Sequence, residues 1–310
     1  MESLNTVLVY ATMIVMILLG IAFITLAEQK ILGGAQIRVG PNYVGQWGIM
    51  QPFADAVKLL SKETMNSRVA VDMVYYAAPV GGLRLSLLVW CISPFVDGGL
   101  GLSYGVFFFM CVSGLGVYPI LASGWSSNCK YSVLGSLRAV AQMISYEASL
   151  GMILLSLIWL SSSFVFCTLL ESQYMVYNIF LLSPLGYIWL VSSLAETNRS
   201  PYDFAEGESE LVSGFNTEYG SGGFVLIFMA EYGSILLMGV LFSVLFVSSY
   251  FGFMAVLKGI GVVFVFIWVR ASLPRYRYDK LMKLAWKSFL PVSLLLFGYY
   301  LWVGFILSYC

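Results

Sequence analysis

Two acidic residues lie inside apolar segments that are long enough to cross a membrane. Glu147 falls in the segment 138–160, and Glu231 falls in the segment 222–250. A charge at the centre of a membrane helix costs about 2.5–3.5 kcal/mol on insertion scales, so such residues face a protein interior or a wet cavity. A structural role is the alternative, but carboxylates in this setting usually mark an ion or proton route.

The connection 197–221 is a second concentration of acids. If they are partly buried, acids packed this closely cannot all ionise at their ordinary pKa values, so some protons are held and released in coupled steps. Apolar residues between 204 and 215 interrupt the acids, which favours a packed loop over a solvated acidic one. A single arginine, Arg199, stands against these acids. The acids from the end of the preceding apolar segment onward are Glu196, Asp203, Glu206, Glu208, Glu210 and Glu218.

The residue inventory excludes several kinds of chemistry. The chain has no histidine, which rules out a histidine-held haem, a histidine metal site and a Ser-His-Asp triad. Its five cysteines form no Cys-x-x-Cys pair, so we predict neither an iron–sulfur cluster nor a zinc site built by this chain alone. No G-x-G-x-x-G follows a predicted strand, and sixteen basic residues balance sixteen acidic ones. We therefore expect no redox centre, metal, bound dinucleotide or nucleic acid.

The composition indicates an all-α integral membrane protein in a single domain over 1–310. Hydrophobic residues make up 60% of the chain and charged residues only 10%, against roughly 25% charged in ordinary soluble domains. Apolar stretches near twenty residues match a hydrocarbon layer of roughly 30 Å. About eight transmembrane helices are predicted, at 4–27, 72–92, 103–122, 138–160, 176–196, 222–250, 253–270 and 289–307.

The basic residues alternate between connections. Fourteen of the sixteen lie in the first, third, fifth and seventh connections, and none lies in the second, fourth or sixth. This asymmetry matches the tendency of basic loops to remain on the inner side of a membrane. An even number of spans then places both termini on the outer side. Lys258, one turn into the seventh span, is either a counter-charge for an acid or a residue that extends to the membrane surface.

A short amphipathic helix is predicted at 52–63 in the first inner connection. Phe53, Val57 and Leu60 share one helical face, whereas Asp55 and Lys58 lie on the other. A helix of this kind lies either in the membrane interface or against other protein.

Four blocks of residues carry a resemblance to a known family. They contain Glu28-Gln29-Lys30 with Gln36-x-Arg38-x-Gly40-Pro41-Asn42; Leu137-Arg138-Ala139 with Ile144-Ser145-Tyr146-Glu147; Ala195-Glu196-Thr197-Asn198-Arg199 through Phe215-Asn216; and Pro274-Arg275-Tyr276-Arg277-Tyr278-Asp279. Together they resemble the membrane subunit through which quinone enters respiratory complex I. Gln29 departs from the family, which usually has arginine there.

The resemblance implies a function that the residues alone do not. It implies a chamber that ubiquinone enters from the mitochondrial inner membrane, with proton pumping coupled to quinone reduction. It places the termini on the intermembrane-space side and the charged loops in the matrix. The residues that match the proton path are Glu147, Glu196, Asp203, Glu206, Glu208, Glu210 and Glu231. Those that match the chamber and its mouth are Gln36, Arg38, Asp55, Arg199, Phe215 and Arg275.

The same resemblance implies partners and cofactors. The expected partners are the peripheral-arm iron–sulfur subunits, antiporter-like and small membrane subunits, ubiquinone and lipid. The iron–sulfur clusters and FMN belong to partner subunits, while ubiquinone is the substrate at a shared site. Three other interpretations stay open: a stand-alone proton or sodium antiporter, a structural anchor for a peripheral enzyme, and a subunit of a related membrane-bound hydrogenase.

Overall fold

The computed structural model describes residues 2–63, 70–94, 101–203 and 214–309, and within these ranges the chain forms helices and connections without strands. The helices are α1 (Glu2–Ala35), α2 (Gln51–Ser61), α3 (Asp72–Val89), α4 (Gly105–Leu115), α5 (Val117–Ser126), α6 (Lys130–Ser161), α7 (Phe166–Glu171), α8 (Asn178–Leu181), α9 (Ser183–Glu196), α10 (Ser221–Phe242), α11 (Phe253–Ser272), α12 (Tyr278–Leu284) and α13 (Leu290–Tyr309).

Seven helical segments in the described ranges are long and apolar enough to cross a membrane. Some are composite, because α4 with α5 and α12 with α13 each form one segment, and α10 continues into a π-helical turn over Ser243–Val247. Large apolar side chains on their outer faces are exposed, among them Met16 and Leu295. Apolar surface of this kind is stable against lipid. The prediction of an all-α, multi-pass membrane protein is confirmed.

The fifth predicted span, 176–196, differs from the prediction. Here the chain forms the one-turn helix α8 and the fourteen-residue helix α9, with Leu182 between them in a non-helical conformation. Pro184 stands in the first turn of α9, where its missing N–H is tolerated. At 1.5 Å per residue, α9 reaches about 21 Å, which is less than the hydrocarbon thickness. The apolar count predicted one long helix, whereas the backbone is broken.

The segments that connect the helices lie at the two ends of the bundle, and hydrogen bonds join them to one another and to helix ends. At one end, which we call the polar end, they join Val71 to Ser126, Ser132 to Phe215, and Tyr276 to Pro201. At the opposite end they join Tyr10 to Cys91, Val106 to Phe164, Asn178 to Leu245, and Tyr300 to Leu181. The acidic connection therefore begins and ends at the polar end, together with the basic segment that precedes α12.

Helix α2 occupies the first connection and packs against α1 and α10. The Phe53 ring meets the Phe23 ring of α1 edge-on, with ring centroids 6.2 Å apart. Val57 and Leu60 remain exposed. The helix therefore contacts protein through part of its apolar face and leaves the rest uncovered.

The centre of the bundle depends on a close approach of α10 and α11. A β-carbon at Gly239 would lie 2.8 Å from the carbonyl oxygen of Gly259, and one at Gly259 would lie 3.0 Å from the α-carbon of Val240. Backbone atoms cannot move aside as a side-chain end can. Both positions therefore require glycine for the two helices to pack as they do.

We expect Gly239→Leu to destabilise the protein, because overpacking a filled interior costs roughly 1–3 kcal/mol or more. The temperature of irreversible inactivation and the amount of assembled complex on native gels should both fall. Gly261→Leu, on the partner helix α11, is the control, because a β-carbon there meets nothing within 4 Å. Equal losses in the two variants would contradict the packing argument.

Candidate functional site

A cavity of about 150 Å³ lies between α3, α5 and α10 and reaches the polar end of the bundle. Most of its lining is apolar, from residues such as Leu85, Phe109 and Leu237. Its polar lining residues are Ser86, Ser113, Ser123, Glu196, Thr197, Asn198, Glu231 and Ser234. Two carboxylates from different helices, α9 and α10, thus line a single cavity.

The residues at the end of α9 and just after it, Glu196, Thr197 and Asn198, line this cavity. Asn198 has a φ of 50°, in the left-handed region that asparagine tolerates. Its N–H donates to the Ala195 carbonyl, and the Arg199 N–H donates to the Leu194 carbonyl. This pair of bonds is the Schellman pattern, which ends a helix and reverses the chain. The reversal puts Arg199 back against α10.

Gln142 of α6 holds the same turn from the other side. Its side chain is fully buried, and its Nε2 donates to the carbonyls of Ala195 (2.7 Å) and Tyr202 (2.9 Å). A single amide therefore ties the end of α9 to the start of the acidic connection. Burial and the neighbouring Tyr276 raise the pKa of Tyr202 to about 12, so this phenol stays protonated at physiological pH.

Glu196 lies within this framework, at the last position of α9. Its Oε2 is buried and has no hydrogen-bond partner among the residues that the structure describes. A buried polar atom without a partner costs about 1–3 kcal/mol. Such an oxygen is stable if it holds a proton or meets a polar group in the cavity.

Arg199 pairs with Glu231 in the middle of α10. The Arg199 Nη2 and Glu231 Oε2 atoms are 3.9 Å apart, and the two side chains are only 12% and 17% exposed. The guanidinium also lies over the Tyr232 ring, 4.2 Å from its centroid. A carboxylate and an aromatic face, on consecutive residues of one helix, thus hold the same cation.

Tyr232 extends the network to α1 and α11. Its hydroxyl donates to Glu28 Oε2 at 2.6 Å, and Glu28 Oε1 accepts from Nη1 of Arg270. Glu28 is 6% exposed. Sequence reasoning omitted Glu28, Arg270 and Tyr232 from the site. The predicted first span stopped at 27, whereas α1 continues to Ala35 and keeps Glu28 inside the bundle.

Glu147 lies near the middle of α6, between the cavity described above and a second, more open cleft. Its carboxylate lies beside Ser113, which lines the cavity, and it is near enough to Glu196 for the two charges to interact. On its other side Glu147 lines an open cleft of about 460 Å³ between α4 and α6. Glu147 therefore lies between the cleft and the cavity that Glu196 and Glu231 line, and the proton path itself stays a prediction.

The residues predicted for a quinone chamber occupy three places. Phe215 is buried and is among the residues that line the cavity, as Glu231 is. Asp203 is paired with Arg275 at 3.2 Å, at the polar end. Three others lie near α2 and the end of α1: Arg38 donates to Gln36 at 2.8 Å, and Asp55 accepts from Gln51 at 2.9 Å.

The remaining sequence-based predictions have different outcomes. Glu206, Glu208 and Glu210 lie outside the described residues. Lys258 donates to the Val247 carbonyl and lies over the Tyr177 ring at the opposite end of the bundle, so its recorded contacts are not with a carboxylate. Within the described ranges, no three His, Cys, Asp or Glu side chains form a group able to hold a metal.

The whole chain was compared with known protein families and with individual proteins. The family model for NADH dehydrogenase matches residues 8–301. NADH-ubiquinone oxidoreductase chain 1 of Anopheles gambiae is 55% identical over 283 residues, which is 91% of this chain and 90% of that protein. The chain 1 proteins of Aedes aegypti (52% identical; 95% and 94% covered) and Branchiostoma lanceolatum (50%; 90% and 89%) are also similar. The chain therefore belongs to the NADH dehydrogenase family, as a chain 1 subunit of NADH–ubiquinone oxidoreductase, respiratory complex I.

Proposed function

We propose that this chain forms part of the ubiquinone chamber of complex I and couples quinone reduction to proton translocation. One observation carries the proposal. Glu196, Glu231 and Glu147, from three different helices, surround one cavity or connect to it through Ser113. A subunit that only anchors a peripheral enzyme has no need to place three carboxylates around a space inside the membrane.

The polar end is the part that responds to quinone. Reduction of quinone to quinol consumes two protons, so it changes the charge beside the acidic connection. At an effective dielectric of 20, two charges at 4 Å interact by about 4 kcal/mol. This is enough to shift a two-state equilibrium by orders of magnitude. Asp203 and Arg275 form an ion pair at this end, so a charge change there acts on both.

The charge change reaches the membrane interior through the turn at the end of α9. Arg199 is fixed by Glu231 and the Tyr232 ring, and Glu196 lies three residues before it. Any movement of the acidic connection that shifts Arg199 alters the field at both carboxylates. Protonation of Glu196 then favours loss of the proton from Glu147, since the two charges repel each other less.

The proposal needs partner subunits. FMN and the iron–sulfur clusters of peripheral-arm subunits supply the electrons, and antiporter-like and small membrane subunits carry protons beyond Glu147. The residues of this chain hold, orient and transfer protons only. We place the complex in the mitochondrial inner membrane, with the polar end toward the matrix and both termini toward the intermembrane space.

Glu147→Gln should lower coupled turnover at least tenfold while the complex still assembles, because an amide cannot exchange the proton. Proton uptake into vesicles and NADH-driven quinone reduction measure this. Glu171→Gln is the control, since Glu171 is exposed at the end of α7. Normal pumping by the Glu147 variant would refute the carboxylate path, and proton or sodium flux by the purified chain alone would favour an antiporter.

Tyr232→Phe should slow coupled turnover severalfold. The ring still supports Arg199, but the hydrogen bond to Glu28 is lost, and bonds to charged groups are worth about 1.5–3 kcal/mol. The inactivation temperature should fall by a few degrees at most. Tyr118→Phe, on an exposed residue of α5, serves as the comparison. If both variants behave as wild type, the Glu28–Tyr232 contact has no part in coupling.

The sidedness has a direct test. A protease-sensitive tag placed after Cys310 should be cleaved from outside in mitochondria whose outer membrane is opened, without disruption of the inner membrane. A tag inserted in the connection between α5 and α6 should be protected under the same conditions. The reverse pattern would contradict the proposed orientation.

A further inference from the structure

We propose that Gly114 is a positioning residue for Glu147: without a side chain at this site, the carboxylate rests against the α4 backbone and reaches Ser113. The inference rests on the proposed function, because it assigns to Gly114 the task of holding one carboxylate of the path between the cavity and the cleft.

The geometry at Gly114 is specific to the carboxylate. A β-carbon built there lies 2.9 Å from Glu147 Oε1, 3.5 Å from Oε2 and 3.6 Å from Cδ. All three nearest atoms belong to the end of one side chain, and none belongs to backbone. Alanine at this position therefore conflicts with the carboxyl group of Glu147 and with nothing nearer.

The protein can relieve this conflict cheaply. The end of a glutamate side chain moves by rotation about its own bonds, and Glu147 borders the open cleft between α4 and α6. In a helix interior, alanine is intrinsically favoured over glycine. Gly114→Ala should therefore fold and assemble, while the carboxylate of Glu147 moves into the cleft and away from Ser113.

Ser113 explains why this displacement matters. Its hydroxyl donates to the Met110 carbonyl at 3.1 Å, and the same group lies beside the Glu147 carboxylate. A hydroxyl has one proton to donate and can also accept. It can donate to Met110 while it accepts from a protonated Glu147, and it can turn to donate to an ionised Glu147. Ser113 thus satisfies Glu147 in both charge states and lies on the cavity wall that Glu196 shares.

The experiment is a double-mutant cycle in the assembled complex. We expect Gly114→Ala to reduce coupled proton uptake at least fivefold on the native Glu147 background. In Glu147→Asp the side chain is one methylene shorter and no longer extends to the β-carbon, so Gly114→Ala should cause no further loss on that background. Gly261→Ala is the control, because a β-carbon at Gly261 meets nothing within 4 Å.

The outcomes separate the two proposals. Normal turnover by Gly114→Ala, together with a defective Glu147→Gln, would overturn the role of Gly114 and leave the carboxylate path intact. Equal fold-losses on the native background and on the Glu147→Asp background, or failure of both to assemble, would show that Gly114 is structural and overturn the inference. Ser113→Ala adds an independent arm: it should reduce uptake to a similar degree, and wild-type uptake by this variant would also overturn the inference.

Discussion

The buried pairing of Arg199 with Glu231 is the interaction on which the rest of the site depends. A guanidinium and a carboxylate this far from solvent each carry a desolvation cost of several kcal/mol, which is offset only when the partners are well placed. The Schellman turn after α9, the Gln142 amide and the Tyr232 ring each constrain Arg199. Removing any of them would leave a cation near the membrane interior without its full set of contacts.

This constraint also accounts for the different surroundings of the three carboxylates. Glu231 has a cation, whereas Glu196 has a buried oxygen without a hydrogen-bond partner in the described part of the chain, and Glu147 contacts a hydroxyl. A nearby cation stabilises the charged form of a carboxylate, whereas burial without a charged partner destabilises that form. Carboxylates with different neighbours thus lie close together inside the bundle.

Much of the fold could be predicted because hydrophobic length and charge position are local properties of the chain. The confirmed membrane class depends on them, and so does the placement of Glu147 and Glu231 inside apolar segments. The predicted fifth span was wrong in form, since apolar composition does not register the break at Leu182 before Pro184. The roles of Gln36, Arg38 and Asp55 stay predictions, because the side-chain hydrogen bonds described for these residues are with one another or with Gln51.

The sequence by itself determined that charges are scarce, that a few acids lie in apolar surroundings, and that basic residues alternate between connections. Only the tertiary structure decided which charges meet. Glu28 bonds Arg270 across 242 positions, and Asp203 bonds Arg275 across 72. Periodicity describes the face of one helix, but an ion pair depends on how two helices pack. Gly114 is a second example of what the sequence cannot show. Only the packing of α4 against α6 reveals that the Glu147 carboxylate occupies the space where a side chain at position 114 would lie.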